Sequence, residues 1–367
     1  MLKRLEVHNY RSLADTVFEP RSLCLLVGLN GSGKTTLFEL LDGMRRLVVD
    51  GANVGSLFSP STLTRWRTDT TQKVVLQLED GGDVFEYVLI VEHVPDQGKV
   101  RIGEERLALG GKPLFLAEKG RARLFRDDHS EGPPLIMDWS RSGIAALEPK
   151  PDNKKLVRFR ELVAGFLLAR ITPGAMLGRA DGEVPHPLPD LSDFASWYRH
   201  LSQEHAERMR DLFDDLRQVV PGFQKLKLVQ FPDNVRDLRV ELDAGSGKQD
   251  YRFAELSDGQ RALIGLYTIM HCAVNAHSLV MLDEPDNFVA LAELQPWLVG
   301  FADKVNAAGG QAVVASHHPE IIDYLAGSGT TMVKRDADGT TKVFPWHIDV
   351  SNGLKASEAL ARGWLDA

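Results

Sequence analysis

The run GLNGSGKT at positions 28–35 constrains this chain more than any other feature. It follows a dense apolar stretch, LCLLVG, and precedes apolar residues at helical spacing: Leu37, Leu40, Leu41, Met44 and Leu47. A short buried strand that breaks into glycines and restarts as a helix suits a loop that turns its backbone N–H groups onto phosphate. Gly28, Gly31 and Gly33 permit the turn. Asn30, Gly31, Ser32, Gly33 and Thr36 are the expected contacts of a nucleotide's phosphates. Lys34 brings a point charge to the β- and γ-phosphates, and Thr35 a hydroxyl to Mg2+.

Two later segments carry matching chemistry. LVMLDE (279–284) is an apolar strand that ends in two carboxylates. Charge closing a buried strand is costly unless it has a task. Asp283 suits the Mg2+ shell and Glu284 the proton of an attacking water; the plainer alternative is a solvated turn before Pro285. LSDGQ (256–260) opens an apolar helix. Ser257 and Gln260 have capping-box spacing, and a capped start containing Gly259 also offers N–H groups and a hydroxyl to an anion.

LSDGQ resembles the signature LSGGQ of the ABC ATPase superfamily. With GLNGSGKT before it and LDEP after it, the set is similar to that superfamily in content and order. The resemblance implies that ATP and Mg2+ are held between two copies of the chain. Ser257, Gly259 and Gln260 of one copy would close over the γ-phosphate held by the loop of the other, giving a head-to-tail homodimer or a higher oligomer. It also implies that a histidine after the strand QAVVA contacts the γ-phosphate: His317 of ASHHP, with His318 second. The opening VHNYRSL resembles the RecF, SMC/Rad50 and OLD-type branch, in which the arginine, here Arg11, reaches the phosphates; a surface arginine is the alternative. GKQDYRFAELSDGQRAL, LVMLDEPDN and VVASHHPEIID resemble the compact AAA_15 and AAA_21 ATPases. Two departures stand out. Ala290 occupies the place of the D-loop acid, and neither Gln72 nor Gln77 is a convincing Q-loop residue.

The expected fold is α/β, a P-loop ATPase head with a largely parallel core sheet, an antiparallel β subdomain and an α/β insertion. Residues 1–70 would form the N-terminal half of the head and 71–222 a β-rich, then helical, insertion. Residues 223–345 would form the C-terminal half and 346–367 a helical tail. Helices are expected over 154–170, from Ser192 to Val219, and over 259–276; YRFAEL reads as a strand. OLD-type enzymes append a nuclease domain, for which the residues after the final hairpin leave no room. The expected activity is hydrolysis of ATP to ADP and phosphate. Its conformational cycle would control a separately encoded effector, a nuclease or toxin, in bacterial defence or repair. A non-hydrolysing ATP-dependent scaffold and a RecF-like DNA-binding repair ATPase are the alternatives.

A net charge of −8 excludes a global basic field for nucleic acid. Lys119, Arg121, Arg123 and Arg126, with Lys154, Lys155, Arg158 and Arg160, could form a local DNA-tracking face, but a solvated face balanced by nearby acids is the simpler reading. No run reaches the ~20 apolar residues of a membrane span, and the N-terminus lacks an apolar signal core. Cys24 and Cys272 lie in apolar segments without metal-ligand spacing, as expected of reduced cysteines in a cytoplasmic protein.

Overall fold

The computed structural model of the protein describes residues 1–243, 245, 247–346 and 355–363. Residues 347–354 and 364–367, most of the expected C-terminal tail, lie outside the described residues. Two compact units form. The first takes Met1–Phe166 and resumes at Ala326; the second takes Leu167–Leu325 and Lys355–Glu358. The expected insertion, 71–222, contributes to both.

The elements in chain order are β1 (Leu2–Tyr10), β2 (Leu13–Phe18), β3 (Leu23–Val27), α1 (Lys34–Val48), α2 (Val54–Leu57), β4 (Thr71–Asp80), β5 (Asp83–Val94), β6 (Lys99–Leu109), β7 (Lys112–Glu118), β8 (Arg121–Phe125), β9 (Glu131–Ile136) and α3 (Lys154–Ala164). There follow β10 (Phe166–Ala169), β11 (Arg179–Ala180), α4 (Phe194–Glu204), α5 (Ala206–Val219), β12 (Phe223–Gln230), β13 (Arg236–Asp243), β14 (Lys248–Arg252), α6 (Asp258–Thr268), β15 (Leu279–Asp283), α7 (Leu291–Ala308), β16 (Gln311–Ala315) and α8 (Pro319–Leu325). The chain closes with β17 (Thr330–Arg335), β18 (Thr341–Pro345) and α9 (Ala356–Ala361).

In the first unit, eight antiparallel strands run in the order β2-β1-β4-β5-β6-β7-β8-β9. Alternation explains the sheet: Phe85, Tyr87, Leu89 and Val91 of β5 are all buried. Helix α3 covers that face with Phe159, which stacks on Tyr87 at 5.4 Å between ring centroids and lies 5.9 Å from Phe85. Rings buried this way contribute about 2–3 kcal/mol each. Strand β3 pairs in parallel with β17, and β17 in antiparallel with β18. All five β3 residues are buried, as an apolar run covered on both faces requires. Helix α1 turns Leu37, Leu40, Leu41, Met44 and Leu47 inward, the face its spacing predicts.

In the second unit, β10, β15 and β16 are neighbours, and β15 pairs with β16 in parallel with Asp283 opposite Ala315. A smaller antiparallel sheet holds β11, β13 and β12, with β14 also on β13. The parallel ladders and the antiparallel sheet together give the expected α/β class.

Four expected elements differ. The helix at 154–170 stops at Ala164; Gly165 breaks it, and FLLA, buried at every position, continues as β10. A helix buries only one stripe, whereas a central strand buries both faces. The helix of 192–219 is divided at His205, because the polar stretch Glu204–Glu207 gives no apolar anchor between Leu201 and Met209. The signature helix becomes a π turn over Ile269–Ala273, just after buried Thr268 donates back to the Ile264 carbonyl at 2.6 Å. YRFAEL leaves β14 after Arg252 for a short 3-10 turn that buries Phe253. Cys24 and Cys272 are free and buried. Among the described residues no helix is long and apolar enough to cross a membrane.

Candidate functional site

The site residues of the first unit lie around residues 28–36. Gly28 has φ 155°, and a Cβ there would sit 2.0 Å from the Val333 carbonyl oxygen. Gly33, at φ 114°, would place a Cβ 2.7 Å from Thr341 Oγ1. Strands β17 and β18 therefore hold the loop so closely that these positions take only glycine. Thr341 Oγ1 donates to the Ser32 carbonyl at 2.7 Å and lies 2.9 Å from Ser12 Oγ. Lys34 is 7 % exposed, and its Nζ donates to the carbonyls of Gly28 at 2.7 Å and Leu29 at 3.3 Å. The ammonium thus lies within the curve of its own loop. Ser32 is 2 % exposed, and its Oγ has no hydrogen-bond partner among the described residues. An orphaned buried hydroxyl is costly without a ligand to satisfy it. Asn30 and Gly31 are exposed and Thr35 and Thr36 half-buried, at the start of α1.

Arg11 lies at the turn between β1 and β2. Its guanidinium pairs with Glu39 of α1 and lies 5.7 Å from the Tyr10 ring centroid. Its backbone is left-handed, φ 52°, and its N–H donates to Thr62. Gln72 is wholly buried. Its amide donates to the carbonyls of Asn9 at 2.8 Å and Thr62 at 3.0 Å, and its Oε1 lies 2.8 Å from His93 Nε2. That network fixes a loop. Gln77 bonds Glu86 at 3.1 Å. Three of the basic residues have protein partners of this kind: Arg158 is bidentate on Asp80 at 2.6 and 2.9 Å, Arg123 lies 3.3 Å from Glu131, and Arg160 donates to the Leu147 carbonyl.

The second unit brings Asp283, Glu284, the histidines and the signature turn into one neighbourhood. Asp283 ends β15 at 5 % exposure, and its Oδ2 accepts from Arg170 Nε at 3.0 Å. Glu284 turns left-handed, φ 52°, its N–H tied to the Ala315 carbonyl at 2.8 Å. Asn287 Nδ2 donates to Glu284 Oε2 at 2.9 Å. A non-glycine residue held there stores strain that the surrounding bonds sustain. Ser316 donates to Asp286 at 2.6 Å. His318 is committed to α8, its Nδ1 accepting from the Glu320 N–H at 3.3 Å, while His317 is exposed on the same turn.

At the signature, Ser257 Oγ accepts from the Gln260 N–H at 3.2 Å and Gln260 Oε1 from the Ser257 N–H at 3.0 Å. The capping box is therefore present. The N–H groups of Asp258 and Gly259 have no intrahelical partner at such a start. Ala290 precedes α7 and donates its N–H to Glu293 at 3.3 Å.

No motif points to Arg170. Its signal is a cation closing the apolar run FLLA, as Asp283 closes LVML. Asn287 and Asp286, which hold Glu284 and Ser316, close the stretch LVMLDEPDN, but its pattern assigns neither a role.

Each unit, taken by itself, holds an oxygen donor of the type Mg2+ takes when bound together with a nucleotide. Among the described residues, no group of three or more His, Cys, Asp or Glu could hold a metal. Mg2+ in such sites takes one or two protein oxygens and fills its shell from phosphate and water; the Thr35 hydroxyl and the Asp283 carboxylate are oxygens of that kind.

Comparison with known proteins bears on family and fold. The family model AAA_21, described as "AAA domain, putative AbiEii toxin, Type IV TA system", matches residues 105–323. The fold is similar to an SMC head bound to the C-terminal winged-helix domain of ScpA, with a TM-score of 0.54, 14 % identity, and 96 % of this chain and 99 % of that one covered. It is also similar to an SMC head with an extended coiled coil bound to the C-terminal domain of ScpA from Pyrococcus furiosus: TM-score 0.52, 11 % identity, and 99 % and 98 % covered. No curated protein matches the sequence.

Proposed function

This chain belongs to the AAA_21 family of P-loop ATPases, and on that footing we propose that it hydrolyses Mg·ATP to ADP and phosphate between two copies of itself. The loop at 28–36 carries the reading. Glycines locked by β17 and β18, a buried ammonium and an orphaned Ser32 hydroxyl make an anion cradle with no other evident use.

In this reading Lys34, Ser32 and the N–H groups of residues 30–36 bind the β- and γ-phosphates. Thr35 and Asp283 are the oxygens assigned to Mg2+, which when bound neutralises phosphate charge. Glu284, aimed by Asn287, takes the proton of the attacking water. His317 donates to the γ-phosphate; His318 is occupied as a cap. Ser257, Gly259 and Gln260 act on the twin's nucleotide, the Ser257 hydroxyl and helix N–H groups facing its γ-phosphate. We assign Arg11 to the phosphates as well, which requires it to leave Glu39. The cycle of engagement and release would control a separately encoded effector, a toxin or nuclease. The toxin–antitoxin wording of the family's description supports defence over repair.

The test combines nucleotide binding, phosphate release and native mass. Wild type should release phosphate, Lys34→Ala should bind no ATP, and Glu284→Gln should hold ATP as a dimer. A wild type that binds no ATP, or a Glu284→Gln chain that stays monomeric with ATP bound, overturns the proposal.

A further inference from the structure

We infer that Arg170 is a resident counter-ion of Asp283 that competes with Mg2+ and so sets the metal concentration at which the site loads. The inference rests on the assignment of Asp283 to the metal.

The pairing has a specific geometry. The Asp283 side chain is 6 % exposed and that of Arg170 45 %, with Nε on Oδ2 at 3.0 Å. A carboxylate so buried is costly without a positive partner. Guanidinium supplies the charge but cannot fill a metal's place: it gives only N–H donors, has no acceptor and stays charged. Arg170 and a divalent ion therefore repel each other across one carboxylate, and each lowers the other's occupancy there.

Arg170 is also fixed by its backbone. Its N–H donates to the Pro189 carbonyl at 2.6 Å, and its own carbonyl accepts from Thr172 Oγ1 at 3.3 Å. The Thr172 N–H reaches the Asp190 carbonyl at 3.3 Å. The proline-rich segment around Pro189 thus clamps the end of β10, and the guanidinium stands at Asp283 without a lid having to close.

The test titrates Mg2+ at a fixed, saturating concentration of a fluorescent ATP analogue, following metal-dependent binding rather than turnover, with circular dichroism as the check on folding. Arg170→Ala removes the guanidinium that competes with Mg2+ at Asp283, so half-saturation should fall to about one tenth of the wild-type Mg2+ concentration. Arg170→Lys, which restores a cation, should return most of the way to wild type. In EDTA, Arg170→Ala should melt below wild type, and Mg2+ with nucleotide should raise its melting point by more. An unchanged or raised Mg2+ requirement in a folded Arg170→Ala chain overturns the inference and leaves the nucleotide reading intact. A wild type that binds no nucleotide overturns both.

Discussion

A side chain at Gly259 would meet the carbonyl oxygen of Phe288 at 3.1 Å. The signature turn and the turn after Glu284 are therefore in backbone contact, and Phe288 itself is left-handed at φ 70°. Gly259→Ala gains helix propensity and loses a few tenths of an ångström of clearance, so stability should move by less than about 1 kcal/mol. Phosphate release should nonetheless fall at least about tenfold, because Phe288 lies next to Asn287, which aims Glu284. Thermal melts and a phosphate assay on one preparation separate the two effects.

The loop glycines should differ sharply. At Gly28 a methyl group would lie 2.0 Å from a backbone oxygen that cannot move without disturbing β17. Gly28→Ala should cost about 3 kcal/mol or more, a fall of roughly 10 °C in melting temperature. Gly31 has φ 76° with nothing within 4 Å. Gly31→Ala should cost only about 1 kcal/mol, from the left-handed backbone alone.

Gln72 should prove structural. Gln72→Met removes the amide that serves the Asn9 and Thr62 carbonyls and leaves those acceptors buried. The expected loss is about 2–4 kcal/mol, with turnover per folded molecule unchanged. Gln77→Ala, on a half-buried surface pair, should move urea midpoints by less than about 0.5 kcal/mol. A Gln72→Met chain that is stable yet inactive would assign the residue to catalysis instead.

His93 should make the protein acid-sensitive. Burial pushes its imidazole below the ordinary histidine range, and Nδ1 has no partner. The unfolded chain then binds the proton more readily than the folded one. Stability is full above the unfolded pKa of about 6.5 and declines as pH falls below it, by up to about 1.4 kcal/mol per pH unit. Urea midpoints at pH 7.5, 6.5 and 5.5 read the slope, and His93→Gln should flatten it.

What the sequence discloses here is chemistry carried by neighbours in the chain. The strand-glycine-helix run at 23–48 and the Ser257–Gln260 box are local, and their geometry follows from a few adjacent residues. Partnerships at a distance stay hidden. Arg11 turning to Glu39, Gln72 closing on Asn9, and Arg170 reaching Asp283 join residues that no periodicity links. The helix expected through Gly165 fails for a related reason. Four apolar residues in a row suit a strand or a buried helix equally, and only the sheet beside them decides.

The contacts of Gly28 with Val333 and of Ser32 with Thr341 have a bearing on biosynthesis. A nascent polypeptide exposes its phosphate cradle early, yet the two strands that shape it leave the ribosome some three hundred residues later. Until they do, the glycines at 28–33 lack the contacts that hold them in the folded chain. If the proposed function holds, translation that stops before β17 and β18 should yield a product with a weakened grip on ATP.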